Sequence, residues 1–239
     1  MQTNKPNRRS TETPNHRSTE LPKHRPLFHS VVCAAAISVA FLFHHAALAA
    51  LSTNDTTKAS SKLLPVADFE KGRLITVSEV AWIPFTDAVL AGKSSINPSI
   101  TNSGAAGSKA AMQLTGKLTA DFQWGGFAGV TARLLINGGS TNLSRFTGIQ
   151  FHARGDGKPC RVVIGKENVK DNNHFFAEFR AKPEWALIKV SFTELAQSPF
   201  FGTQVTWSAD NINSVAFMAI AQPEETREFN LQVDNISFY

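Results

Sequence analysis

Three sets of residues in this chain of 239 have types and spacings that could do chemistry. Gln150, His152 and Arg154 alternate along one stretch, and Phe176, Glu178 and Arg180 along another. Amide, imidazole, guanidinium and carboxylate groups make directional hydrogen bonds to hydroxyls, and an aromatic ring stacks on a sugar face. Side by side, these six would form a ligand surface, with Trp82, Trp124 and Trp207 as further stacking candidates. The second set is Asp68, Glu70 and Asp234. Carboxylate oxygens suit Ca²⁺, so a structural Ca²⁺ is the cofactor they would take, although three carboxylates underfill a shell of about six to eight oxygens. The third is Cys160 with His152, a conceivable nucleophile and base. Alternation through Val162 and Ile164 puts that thiol on an apolar side, where it acts as a small buried hydrophobe. No G-x-S-x-G, H-E-x-x-H, phosphate loop or Cys/His zinc spacing occurs, so the expectation is not an enzyme.

The elements that must position these groups are strands. Ile149, Phe151 and Ala153 alternate with Gln150, His152 and Arg154, and Phe175, Ala177 and Phe179 alternate with Phe176, Glu178 and Arg180. Ile188–Val190–Phe192, Val215–Phe217–Ala219 and Phe229–Leu231–Val233 repeat the period of two, which is that of a strand with one buried side. Gly125-Gly126, Gly138-Gly139, Asp171-Asn172-Asn173 and Asp210-Asn211 punctuate them as turns, and residues 193–197 read as one helical turn. Many short strands with regular turns predict an all-β sandwich. Arg154-Gly155-Asp156 is the tripeptide that cell-adhesion receptors read, but Asp156-Gly157 between two strand patterns predicts a hairpin corner instead.

The net charge of +5 lies in the leader. Residues 1–30 hold six Lys/Arg against two Glu, leaving 18 basic and 17 acidic side chains in the other 209 residues. A nearly neutral body carries no phosphate-neutralising patch, so no nucleic-acid partner is expected. Residues 1–30 contain a polar, proline-bearing repeat, Arg9-Ser-Thr-Glu and again Arg17-Ser-Thr-Glu, which cannot bury a core and reads as a disordered n-region. Residues 31–49 read as a signal-peptide hydrophobic region: the apolar run 31–43 is too short to span a bilayer, and Ala47-Leu48-Ala49 offers a cleavage site before Ala50. Residues 50–64 read as a linker and 65–239 as one domain. The expectation is an exported protein, periplasmic or secreted, with no membrane span after signal cleavage.

The stretches Asp87-Ala-Val-Leu-Ala-Gly-Lys-Ser94, Gly125-Gly-Phe-Ala-Gly-Val130, Leu143-Ser-Arg-Phe-Thr-Gly-Ile149, Arg154-Gly-Asp-Gly-Lys158, the run from Trp185 through Phe192 to Glu194-Leu195, and Phe229-Asn-Leu-Gln-Val-Asp-Asn-Ile236 together resemble the complex I intermediate-associated protein family. The resemblance covers roughly residues 66–239. It implies a galactose-binding-like jelly roll, the fold of many carbohydrate-binding modules. In such modules an acidic pair on the first and last strands shares a structural Ca²⁺, the role implied for Asp68, Glu70 and Asp234. Two local departures stand out: Leu90-Ala91-Gly92 replaces the usual double glycine with Met, and Cys160 replaces an aromatic residue. The eukaryotic member is a mitochondrial assembly factor, whereas this leader reads as an export signal. The resulting expectation is an exported, non-catalytic binding module for a carbohydrate-like or protein ligand. The alternatives are an assembly or scaffold factor for a membrane respiratory NADH dehydrogenase complex, and a cryptic hydrolase.

Overall fold

The computed structural model describes residues 63–239, so the expected n-region, signal region and nearly all of the linker lie outside the described residues. Eleven strands follow in order: β1 (Leu64–Ala67), β2 (Ile83–Thr86), β3 (Ser95–Thr101), β4 (Ala111–Leu118), β5 (Phe127–Arg133), β6 (Gly148–Gly155), β7 (Pro159–Lys166), β8 (Phe175–Arg180), β9 (Ala186–Ser191), β10 (Ile212–Ile220) and β11 (Arg227–Phe238). They build two antiparallel sheets. One runs β3-β4-β11-β6-β9 with β1 also paired to β11, and the other runs β2-β5-β10-β7-β8. Most neighbours are distant in sequence because the chain repeatedly crosses between the sheets, as a jelly-roll sandwich requires. Of the four prolines in strands, Pro65 on β1, Pro84 on β2 and Pro98 on β3 fall on strands with one free edge, and Pro159 is the first residue of β7, positions where a missing N–H is tolerated.

Period-two patterning decides which side chains meet between the sheets. Phe151 of β6 contributes a fully buried ring that meets Phe217 of β10 at 4.8 Å and Phe179 of β8 at 5.0 Å, both edge to face. Such aromatic contacts add about 0.5–1.5 kcal/mol beyond the area they bury. Trp82 extends the cluster against Phe217 and Phe69, so this tryptophan is core and not a ligand platform. Cys160 is also interior, at 4% exposure, and burial pushes its thiol up to about 12. His152 faces away from the core on the opposite sheet, so the conceived thiol–imidazole pair does not form.

Two local expectations resolve differently, and a third segment shows how one of the resemblance stretches is built. The Arg154–Lys158 corner is not a hairpin, because β6 and β7 belong to different sheets and the turn carries the chain across. Gly157 takes a left-handed φ of 75°, and Asp156 accepts from the Lys158 N–H at 2.9 Å. The single helical turn is a 3-10 turn at Phe192–Glu194, capped by the Ser191 hydroxyl, after which Ala196 bridges to Phe176. The Asp87–Ser94 stretch is a tight turn built around a buried carboxylate: Asp87, Gly92 and Ser94 are buried, whereas Ala88 to Ala91 and Lys93 are exposed. A 3-10 turn at Asp87–Leu90 is followed by Ala91 with φ 65°. The Asp87 carboxylate, with no exposure, accepts from Ser94 N (3.0 Å), Ser94 Oγ (2.6 Å) and Phe127 N (3.3 Å). A Cβ on Gly92 would lie 2.3 Å from Asp87 Cγ, so glycine is required there on steric grounds alone.

Candidate ligand-binding face

The six predicted ligand residues do not form one patch. Gln150, His152 and Arg154 point outward from β6, whose neighbours are β11 and β9 in the six-stranded sheet. Phe176, Glu178 and Arg180 point outward from β8, which pairs with β7 in the other sheet. The two trios therefore lie on opposite outer faces of the sandwich. Alternation tells which side chains share one side of a strand, but not which strands are neighbours.

On the six-stranded sheet, Arg154 is committed to internal contacts. Its Nε donates to Gln232 Oε1 (2.9 Å), its Nη2 donates to Ser103 Oγ (3.1 Å), and its guanidinium lies 4.9 Å from the Trp185 ring. The loop between β3 and β4 closes over this face and is tied by two carboxylates. Asp234 Oδ2 accepts from Ala105 N (2.8 Å). Glu70 Oε1 accepts from Ser108 Oγ (2.6 Å), Lys109 N (2.8 Å) and Ala110 N (3.2 Å). The Ser108 hydroxyl and the Lys109 N–H hold Glu70 below its ordinary pKa, whereas burial raises that of Asp234. Asp68 does not join them, since its Oδ1 accepts from Glu70 N at 3.2 Å. Among the described residues no three acidic, His or Cys side chains converge as a metal site. Of the expected Asp68–Glu70–Asp234 triad, Glu70 and Asp234 instead anchor the loop through Oε1 and Oδ2, which face N–H and O–H donors, and the three do not converge as a three-carboxylate Ca²⁺ site.

The five-stranded sheet has a different outer face. An antiparallel sheet packed on one side ordinarily turns polar residues to water on the other. Here β10 turns out Ser214, Ala216, Met218 and Ile220, and β7 turns out Arg161, Val163 and Gly165. Ala216 and Ile220 are each only 8% exposed although neither belongs to the core cluster. Register aligns Ile83, Thr131, Ala216, Val163 and Phe176 across all five strands. Side-chain bulk is least in the middle of this row and greatest at its ends, which makes a trough. The next row is Phe85, Gly129, Met218, Arg161 and Glu178. Phe85 packs on Phe127 at one wall, at 6.3 Å. At the other wall the Arg161 guanidinium lies 4.1 Å from the Phe176 ring and pairs with Glu178 at 2.7 Å. Diagonal and facing neighbours on adjacent strands make such stacks. The result is a flat cation–aromatic platform beside a shallow apolar trough.

The residue pattern of the Complex I intermediate-associated protein 30 family matches residues 67–233. The chain belongs to that family. Among solved structures this family member is similar to the family 11 carbohydrate-binding module of a cellulosomal cellulase of Clostridium thermocellum. The two share 17% identity and a TM-score of 0.56 over 74% of this chain and 94% of the module. A structure of the Clostridium thermocellum module in complex with a mixed-linked tetrasaccharide aligns at 18% identity with the same coverage and TM-score. At such identities the likeness is one of fold. No curated protein matches the chain.

In this family member the residues that sequence reasoning missed are Arg161, Thr131, Ala216 and Met218. Their signal was present: Val162-Val163-Ile164 and Ala216 through Ile220 are apolar in both parities, which a strand with a solvated face does not need. Of the remaining tryptophans, Trp207 packs on Phe175 and Phe192, and Trp124 stands 70% exposed in the loop before β5. Two cavities lie elsewhere, one of about 200 Å³ lined by Leu64, Val66, Asn142, Arg145, Phe146 and neighbours, and one of about 350 Å³ lined by Asn168, Lys170, Asp171, Thr203 and neighbours. Neither lining brings an aromatic ring, a guanidinium and a carboxylate together as the trough does, so the open trough is the better candidate site.

Proposed function

We propose that this family member is an exported, non-catalytic binding module that seats a carbohydrate chain in the trough of the five-stranded sheet. The observation that carries this reading is the outer face itself. Small residues line its floor, and its wall holds Phe176, Arg161 and Glu178 at mutual contact distances. Apolar area takes the faces of sugar rings while the guanidinium and carboxylate take their hydroxyls. The jelly-roll likeness to a module whose structure includes a tetrasaccharide supports it. Affinity electrophoresis of the purified protein through gels carrying single polysaccharides tests the reading. At least one glycan should retard the wild type, and Phe176→Ala and Ala216→Trp should abolish retardation while circular dichroism shows that both variants remain folded. Retardation by no glycan, or retention by Ala216→Trp equal to wild type, refutes it.

A second reading rests on other residues. Phe200 is 88% and Phe201 51% exposed, in a loop tied to Asn173, which is only 1% exposed, through Ser198 N, Ser198 O and Phe201 O. A protein partner, such as a subunit of a membrane NADH dehydrogenase complex under assembly, would bury them. Co-purification that depends on Phe200 and not on Phe176 would favour this scaffold role.

A further inference from the structure

The charges on the trough face are unequal. Its outward positions carry Arg133, Arg161 and Arg180 against Glu178 alone, although the domain as a whole is nearly neutral. Glu178 is already paired with Arg161, and Arg180 Nη1 donates to Gly157 O at 3.1 Å. Arg133 has no hydrogen-bonded or ionic partner among the described residues.

Arg133 also ends a row of polar groups. Ser214 of β10 stands opposite Arg133 on one side and opposite Gly165 on the other. A Cβ on Gly165 would lie 2.0 Å from Ser214 Oγ and 3.0 Å from Asn213 Oδ1, so both polar groups lean over the glycine on the outer side. Ile164 pairs with Phe175, which sets His174 beside Gly165. The Nδ1 of His174 is buried without a hydrogen-bond partner. This row lies one outward step, about 7 Å along the strands, beyond Phe176.

We infer that the glycan of the proposed site is acidic, and that Arg133, Ser214 and His174 form the subsite for a sugar carboxylate at one end of the trough. The inference rests on the binding-module reading and names its ligand class. The Arg133 guanidinium supplies strong donors to a carboxylate and a neutral imidazole supplies one N–H, while the Ser214 hydroxyl, which donates to Asn213 Oδ1 at 3.0 Å, must turn to donate to the ligand. Burial, and then the nearby Arg133 charge, lower the pKa of His174, which keeps the ring neutral in the absence of an anion. Of the acids at this end, Asp210 is paired with Lys166, Glu167 accepts from Ser140 Oγ, and Asp171 accepts from Thr203 N and Asn173 N while its charge still reaches His174 and opposes the effect of Arg133 there. Glycine at 165 leaves open the space that a side chain would fill.

The test measures binding of the full chain to polygalacturonate, to the same polymer after carboxyl reduction, and to a neutral mixed-linked glucan. The variants are Arg133→Ala, Ser214→Ala and, as an exposed cation on the other face, Lys117→Ala. Polygalacturonate should bind and its carboxyl-reduced form should bind weakly. Arg133→Ala should lose roughly tenfold in affinity, the scale of one charge-assisted hydrogen-bonded contact. Ser214→Ala should lose less, and Lys117→Ala should behave as wild type. Equal binding of neutral and acidic polymers, or equal losses in Arg133→Ala and Lys117→Ala, overturns the acidic subsite and leaves the binding module standing. Binding to none of the three polymers overturns this subsite as well, and the wider gel survey then decides whether the binding-module reading falls with it.

Discussion

Replacing Asp87 by alanine should destabilise the domain by about 2–4 kcal/mol, because one buried and one part-buried backbone donor lose their acceptor. The carboxylate has no exposure and joins three places: Ser94 N at 3.0 Å, Ser94 Oγ at 2.6 Å and Phe127 N at 3.3 Å. Each orphaned buried N–H costs about 1–3 kcal/mol, while the serine hydroxyl can rotate toward other acceptors. Relief of burying a charge offsets part of the sum. For a domain of this size a loss of 3 kcal/mol lowers the melting temperature by roughly 6–12 °C. Urea unfolding should show a lower midpoint at an unchanged slope, since the same surface is exposed. Gly92→Ala should act in the same direction, because its Cβ would occupy the position of the Asp87 carboxyl. A shift of less than about 1 °C in Asp87→Ala would refute the claim that this carboxylate ties the β2–β3 turn to β5.

Ala91→Gly should raise stability by up to about 1 kcal/mol, since Ala91 holds a left-handed φ of 65° that suits glycine; a melting curve checks it. Phe151→Ala should cost about 3–5 kcal/mol through the cavity it leaves, whereas outward-facing Glu178→Ala should stay within about 0.5 kcal/mol in urea unfolding. Cys160 should react slowly with a thiol reagent in the native protein and fast after denaturation, as burial and a thiol pushed up to about 12 require. Acid should loosen the β3–β4 loop. The folded pKa of Glu70 is depressed, so its contribution is present above the ordinary glutamate value and is lost as pH falls through the folded value. Asp234 has the opposite sign, because its raised pKa makes its burial more costly as pH rises. Protection of the Lys109 and Ala110 amides, measured relative to their intrinsic exchange rates, should therefore fall as acid protonates Glu70, and Glu70→Gln should show lower protection already at neutral pH.

The sequence by itself determined the strands and which of their side chains are interior. Phe151, Phe179, Phe217 and Cys160 alternate with polar or smaller residues, and a half-buried strand allows only one parity inward. It also determined that Asp156-Gly157 is a corner, since that dipeptide favours a turn in any context. Only the tertiary structure decided which strands are neighbours. Period two is blind to pairing, so Gln150, His152 and Arg154 could not be told to lie on the face opposite Phe176, Glu178 and Arg180. The same blindness made Asp68, Glu70 and Asp234 read as a cation cage when two of them anchor a loop and the third turns to its own backbone. The trough needed five strands in register, from Ile83 at one edge to Phe176 at the other, and those residues are scattered along the chain from Ile83 to Ala216. Long-range register comes from packing two sheets around one core, and no local pattern records it.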